Sequence, residues 1–200
     1  MTYADAIRLQ KEIAKKVVAK DDFGRIGRIC GIDVAYGGGG GGAAYCSAVV
    51  MDGQSVVESA DAETAVTHPY VPGLLMLREA GPILHALGML KGGYDLLLVD
   101  GHGLLHPRRC GLACYVGVTL DKPTIGVAKS KLCGTVRPGG AVELGGEILG
   151  YAIGKKLYVS VGHRISLNTA VAIVKELGTE PLRLADANSK AQKRRKGLRP

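Results

Sequence analysis

The feature that most constrains this chain is the unbroken apolar run at 96–99, which stops at Asp100 and is followed at once by Gly101 and Gly103. A continuous apolar run bounded by turn formers is how a strand buried on both faces reads, and such strands belong to α/β sheets covered by helices. A carboxylate at the end of such a strand needs a partner or a cation, because desolvating it alone is costly. In open α/β sheets, ligands bind at the carboxyl ends of the strands. A second apolar strand at 124–128 delivers Lys129 to the same edge. Between the two strands, His106 precedes Pro107. Proline at a first helical position predicts a helix starting there, with Arg108 and Arg109 in a first turn that invites an anion.

Two hundred residues, 46% of them hydrophobic, can bury a sizeable core, and no stretch reads as a linker between two cores, so one domain over 1–200 is expected. The net charge is +8, but residues 183–200 hold seven basic side chains and one acid and carry +6 of it. The end from about residue 187 therefore reads either as a solvated, frayed tail or as a contact for phosphates. Five cysteines without a C-x-x-C pair argue against a disulfide framework and for a reducing, cytoplasmic setting. There is no apolar run of membrane-spanning length, and residues 1–20 alternate charge and aliphatics at helical spacing instead of forming a leader.

Residues 3–20 read as an amphipathic packing helix. A strand follows at 26–36, in which Ile29, Gly31 and Asp33 share one face and Cys30, Ile32 and Val34 the other. Asp33 is then an acid within an apolar strand, either a hydrogen-bonded core residue or a cation ligand. Six glycines at 37–42 lack the Lys-Ser/Thr and helix of a phosphate loop and read as a hairpin connection to strands at 43–51 and 55–64. His68-Pro69-Tyr70-Val71-Pro72-Gly73 is a stiff turn. It presents Tyr70 either as a wedge into stacked bases or as packing over the domain's own edge. A helix at 74–90 contains Pro82, and its apolar neighbours place Glu79 on the buried face. Paired strands about Gly154-Lys155 end in His163, Ser166 caps a helix at 167–177, and 181–194 reads as a last helix carrying Asp186.

Asp33, Glu79 and Asp100 could not meet without a cation, because like charges a few ångströms apart cannot all stay ionised. All-oxygen ligands suit Mg²⁺ or Mn²⁺. With Lys129, His106, His163 and the arginines added, the fitting chemistry is metal-assisted phosphodiester hydrolysis. A zinc stripe of His102, His106, Cys110 and Cys114 would need one straight helix, which Pro107 interrupts.

Five segments, GIDVAY (31–36), PYVPGLLMLREA (69–80), LVDGHGLLHPRRCGLA (98–113), PTIGVAKSKLCG (123–134) and VGHRISL (161–167), closely resemble endonuclease V in order and spacing. The resemblance implies an α/β, ribonuclease H-like fold: a mixed sheet, antiparallel over its first three strands and then parallel, flanked by helices. It implies hydrolysis of DNA at deoxyinosine, at the second phosphodiester bond on the 3′ side, leaving 3′-hydroxyl and 5′-phosphate ends; inosine in RNA is an alternative substrate, and a binding protein without catalysis an alternative class. By the same resemblance Asp33 and Asp100 are direct metal ligands, Glu79 acts through water, Lys129 lies by the phosphate, and His163 lies near the metal's water shell. Pro69, Tyr70, Val71 and Pro72 form the wedge. Gly73, Leu75, Gly101, Gly111, Leu112 and Leu132 line a pocket for the flipped base, and His106 and Arg108, placed at the same crevice by the strand end and the turn after it, are expected to face substrate. Mg²⁺ (or Mn²⁺) is the expected cofactor, deoxyinosine DNA the expected partner, and a monomer the expected state, with no membrane association.

Overall fold

The structure, a computed structural model, describes residues 1–37, 42–154 and 156–196. Its strands are β1 (Arg28–Tyr36), β2 (Ala43–Asp52), β3 (Ser55–Ala65), β4 (Leu96–Asp100), β5 (Thr124–Ala128), β6 (Thr135–Val136), β7 (Ala141–Leu144), β8 (Glu147–Ile153) and β9 (Leu157–His163). They form one mixed sheet in the order β3-β2-β1-β4-β5-β9-β8-β7-β6. β1, β2 and β3 pair antiparallel, β1, β4 and β5 run parallel, and β9 turns back antiparallel on β5. This is the ribonuclease H-like mixed sheet that the five segments imply. The six-glycine connection falls largely outside the described residues, as does Lys155. The strands on either side of the glycines still close as a hairpin, with the Gly37 N–H donating to the Ala43 carbonyl at 3.0 Å.

Helices α1 (Tyr3–Ala14), α2 (Met76–Gly88), α3 (Leu112–Leu120), α4 (Leu167–Leu177) and α5 (Glu180–Arg195) cover the two faces. Alternation along the central strands decides which face receives which helix. Cys30, Ile32, Leu97 and Val99 pack with α1, α2 and α3. Ile29, Leu96 and Leu98 pack with α4 and the start of α5. Gly31 belongs to the second set. A Cβ there would lie 2.2 Å from the carbonyl carbon of Pro181, so the missing side chain is what lets α5 rest directly on β1. No helix among the described residues is long and apolar enough to cross a membrane.

Three local expectations are corrected. The first helix ends at Ala14 instead of reaching residue 20. No helix begins at Pro107: α3 starts at Leu112 with Gly111 as its N-cap, and Arg109 has a left-handed φ of 53°, which a right-handed helix cannot pass through. The basic end is not frayed from residue 187, because α5 continues to Arg195 with Ser189 fully buried against the sheet. Its far end is tied to β2 by the Gln192 amide, which donates to the Cys46 carbonyl at 3.4 Å, and to β3 by a Lys196–Glu63 ion pair at 3.1 Å.

Candidate active site

Parallel pairing of β1 with β4 sets Ile32 opposite Val99, so the next residues along each strand, Asp33 and Asp100, emerge side by side at the carboxyl edge. α5, lying across β1, lowers Asp186 into the same place. One carboxylate oxygen from each of the three acids lies within 4.8 Å of the others, and among the described residues no other such group forms. Lys129, leaving β5, places Nζ 2.6 Å from Asp100 Oδ2 and 3.2 Å from Asp186 Oδ1. Lys190 donates to the other Asp186 oxygen at 2.7 Å, and the Ser189 hydroxyl donates to Asp33 Oδ2 at 2.7 Å.

The electrostatics of the cluster are uneven. Burial pushes the Asp33 carboxyl up to about 6, against the Ser189 hydrogen bond and with the help of the Asp100 charge. Burial also works against ionisation of Asp186, yet Lys190 and Lys129 hold it below the usual carboxylate range. Lys129 is partly desolvated, but Asp100 keeps its ammonium above the ordinary lysine value. Three convergent hard oxygen donors with mutual repulsion are a set that fits a divalent cation.

Glu79 does not belong to this tight group. It hangs from α2, accepts the Tyr36 phenol at 3.1 Å, and is pushed to about 8 by burial, with Asp33 and Asp100 adding to the rise. The third acid within a metal's reach is therefore Asp186. Reading it from the chain alone required knowing where α5 lies, although a carboxylate bordering the buried stripe Leu182, Ala185 and Ser189 was an available signal.

His163 is placed at the opposite edge of the sheet, which corrects the expectation that it sits by the metal. Because β9 is antiparallel to β5, its C-terminal residue pairs with Thr124, at the start of β5, while Lys129 leaves the other end. There His163 Nδ1 accepts the Val18 N–H at 3.2 Å, and its Nε2–H donates to Asp121 at 3.1 Å.

Beside the acids lies a cleft of about 380 Å³ lined by Tyr70, Gly73, Leu75, Gly101, His106, Gly111, Leu112 and Leu132, together with Asp100 and Lys129. Tyr70 stands at this cleft 61% exposed, while Val71 is half-buried against the core and Pro69 and Pro72 are exposed. Gly73 ends the stiff turn with φ of 78°, a conformation suited to glycine, and the Leu74 N–H donates to the Val71 carbonyl at 2.9 Å across it. The Gly73 carbonyl accepts three donors: Gln10 Nε2 at 3.0 Å, His106 Nε2 at 3.1 Å and Arg108 Nη2 at 2.5 Å. His106 Nδ1 accepts the Arg108 N–H at 3.1 Å, which assigns the proton to Nε2. Burial, with the Arg108 charge, holds His106 down at about 4, so it is a neutral strut.

Neither arginine waits for an anion. Arg108 lies outside the cleft lining and also donates to Gln10 Oε1 at 2.6 Å, and Arg109 pairs bidentately with Glu147 at 2.9 and 3.2 Å. Gln10, fully buried on α1, went unnoticed in the sequence, where a glutamine among lysines reads as solvated. The His/Cys stripe does not converge either: His102 Nε2 donates to the Ser130 carbonyl at 2.9 Å, and Cys110 and Cys114 are buried thiols.

Comparison with known proteins bears on this arrangement. The family model described as Endonuclease V matches residues 11–187. An endonuclease V of Thermofilum pendens is 45% identical over 193 residues, spanning 90% of this chain and 82% of that protein. Among solved structures, endonuclease V of Streptomyces avermitilis superposes with a TM-score of 0.86 at 34% identity, covering 98% of this chain and 95% of the other. Endonuclease V of Ciona intestinalis, solved with a 24mer DNA containing an inosine followed by a ribo-adenosine, gives 0.86 at 28% identity, covering 96% and 98%.

Proposed function

Because this chain belongs to the endonuclease V family, we propose that it is a DNA repair endonuclease that acts at deoxyinosine, the product of adenine deamination. The cut is at the second phosphodiester bond 3′ of the lesion, leaving 3′-hydroxyl and 5′-phosphate ends. One observation carries the reading: Asp33, Asp100, Asp186 and Lys129 converge at one sheet edge beside a cleft large enough for a base.

Asp33, Asp100 and Asp186 would hold the cation; Mg²⁺, or Mn²⁺, matches their hard oxygens and, when bound, supplies Lewis acidity at the phosphate and activation of a water. Lys129, already between two of the acids, offsets charge building on the phosphate oxygens. Glu79, held by Tyr36, sits one step back from the acids and acts through water. Tyr70 enters the space left by the lesion base. The cleft, walled by glycine backbone and leucines, receives the base, so main-chain groups do the reading. Flipping costs a few kcal/mol, and less where pairing is weak, so inosine's own weak pairing contributes to selection. All of these groups come from one chain, so a monomer suffices.

The test is cleavage of a duplex with a single inosine, with Mg²⁺ and with EDTA. Cutting confined to the inosine strand, lost with EDTA and lost in Asp186→Asn, is the expected result. Cutting that survives EDTA or ignores the inosine would sink the proposal. The ribo-adenosine beside the inosine in the Ciona complex favours one further arm, a matched RNA oligonucleotide, to measure DNA against RNA preference.

A further inference from the structure

The last turns of α5 carry charge that the reaction above does not use. Asp186 lies on one stripe of this helix, and Lys190, Lys193 and Arg194, four, seven and eight residues further on, continue it. Lys190 turns back onto Asp186, whereas Lys193 and Arg194 make no ion pair among the described residues. Their backbone is already anchored by the Gln192 and Lys196 contacts to β2 and β3. Binding there therefore needs no folding of a tail.

The placement of the stripe gives it a direction. The cleft is walled by Leu75 and Leu112, which pack with the α2 and α3 side of the sheet, while α5 covers the other side, and the acids sit at the edge between them. A strand with its flipped base in the cleft and its scissile phosphate at the acids has to cross this edge, and the nucleotides that follow come down onto α5. Since the cut lies 3′ of the lesion, this flank is the 3′ one. Seven to eight helical residues advance about 11–12 Å, a length that reaches past the phosphate at the acids to those that follow it along the strand.

We propose that Lys193 and Arg194 form a docking surface for backbone phosphates of the cleaved strand, within the first few nucleotides 3′ of the cut. The proposal rests on the nuclease reading. Its test compares two inosine duplexes, one running about ten nucleotides past the cut and one ending after the first, with affinity measured in EDTA across a salt series. For the long duplex, Lys193→Glu/Arg194→Glu should weaken binding on the order of tenfold at 0.1 M salt and flatten the log–log salt slope by nearly 2. For the short duplex the loss should vanish, and Lys193→Gln/Arg194→Gln should show a smaller loss with the same length dependence. Lys91→Glu/Lys122→Glu, an equal charge change at the opposite sheet edge, should show no length dependence. Equal losses on both duplexes, or an unchanged slope, would overturn the surface while leaving the nuclease intact. Failure of the unmutated protein to cut the long duplex at inosine once Mg²⁺ is added would overturn both.

Discussion

The two ends of the central strands treat their acids in opposite ways. At the carboxyl edge, burial pushes Asp33 up to about 6 and Glu79 up to about 8, with the Asp100 charge adding to both, while Lys190 and Lys129 hold Asp186 low. At the amino edge, Asp121 is held below the usual range by Arg164 and His163, and Asp95 by the Arg28 and Gly27 N–H groups. Asp21 nearby overcomes its partial burial by accepting from Ser166 and Thr169. One edge has matched its charges and holds the chain together; the other keeps an electrostatic debt that a bound cation relieves. Perturbed carboxylates gathered in a cleft mark a functional site, whereas satisfied ones mark structure.

The largest effect should come from breaking the carboxyl edge. Asp33→Asn or Asp100→Asn should lower the rate of inosine-strand cleavage by about a thousandfold or more while an inosine duplex still binds. Parallel gel-cleavage and anisotropy measurements separate the two, and a variant retaining near-normal cutting would remove that aspartate from the site. Tyr70→Ala comes next: loss of a base-stacking ring should weaken inosine-duplex binding by about 1–3 kcal/mol, with metal affinity unchanged. If binding and cutting both stay the same, Tyr70 is no wedge.

A third expectation sets the edges against each other through pH. Asp33 and Glu79 have folded values above their unfolded ones, so between those values the folded state holds more protons and stability falls as pH rises, through about 6 for Asp33 and about 8 for Glu79. In EDTA, urea melts should therefore show the protein losing stability between pH 5 and 8.5 by on the order of 5 kcal/mol from these groups, most of it from Glu79, and Asp33→Asn should flatten the acid end of the profile. Asp121 has the opposite sign: its contribution is present above the unfolded carboxylate value and disappears as pH falls below it. A variant profile as steep as the parent's would refute the unpaid charge at Asp33. The smallest effect belongs to the amino edge, where His163→Ala should lower the melting temperature yet leave cleavage within about threefold, as expected of a group that touches no reacting atom. A drop as large as that of Asp100→Asn would return His163 to the chemistry.

How much of this was legible depended on how local each signal was. Asp33, Asp100 and Lys129 could be placed from the chain because each interrupts or ends a buried strand, and period-2 alternation with parallel pairing carries such residues to one edge. Tyr70 and Gly73 were legible because proline and positive-φ glycine act on their own neighbours, whereas the rest of the cleft wall came from the family resemblance alone. Arg108 and Arg109 misled because one left-handed residue, Arg109, redirects the chain where proline promises a helix.

The sequence by itself determined the buried strands, the two acids at their ends and the rigid turn, since alternation and turn chemistry are written over a few adjacent residues. Only the tertiary structure decided that Asp186 rather than Glu79 closes the trio, that His163 faces the far edge, and that Gln10 braces Gly73. Each of those depends on the direction of a strand or the seat of a helix relative to segments far away along the chain, and such long-range packing leaves no mark in the local pattern.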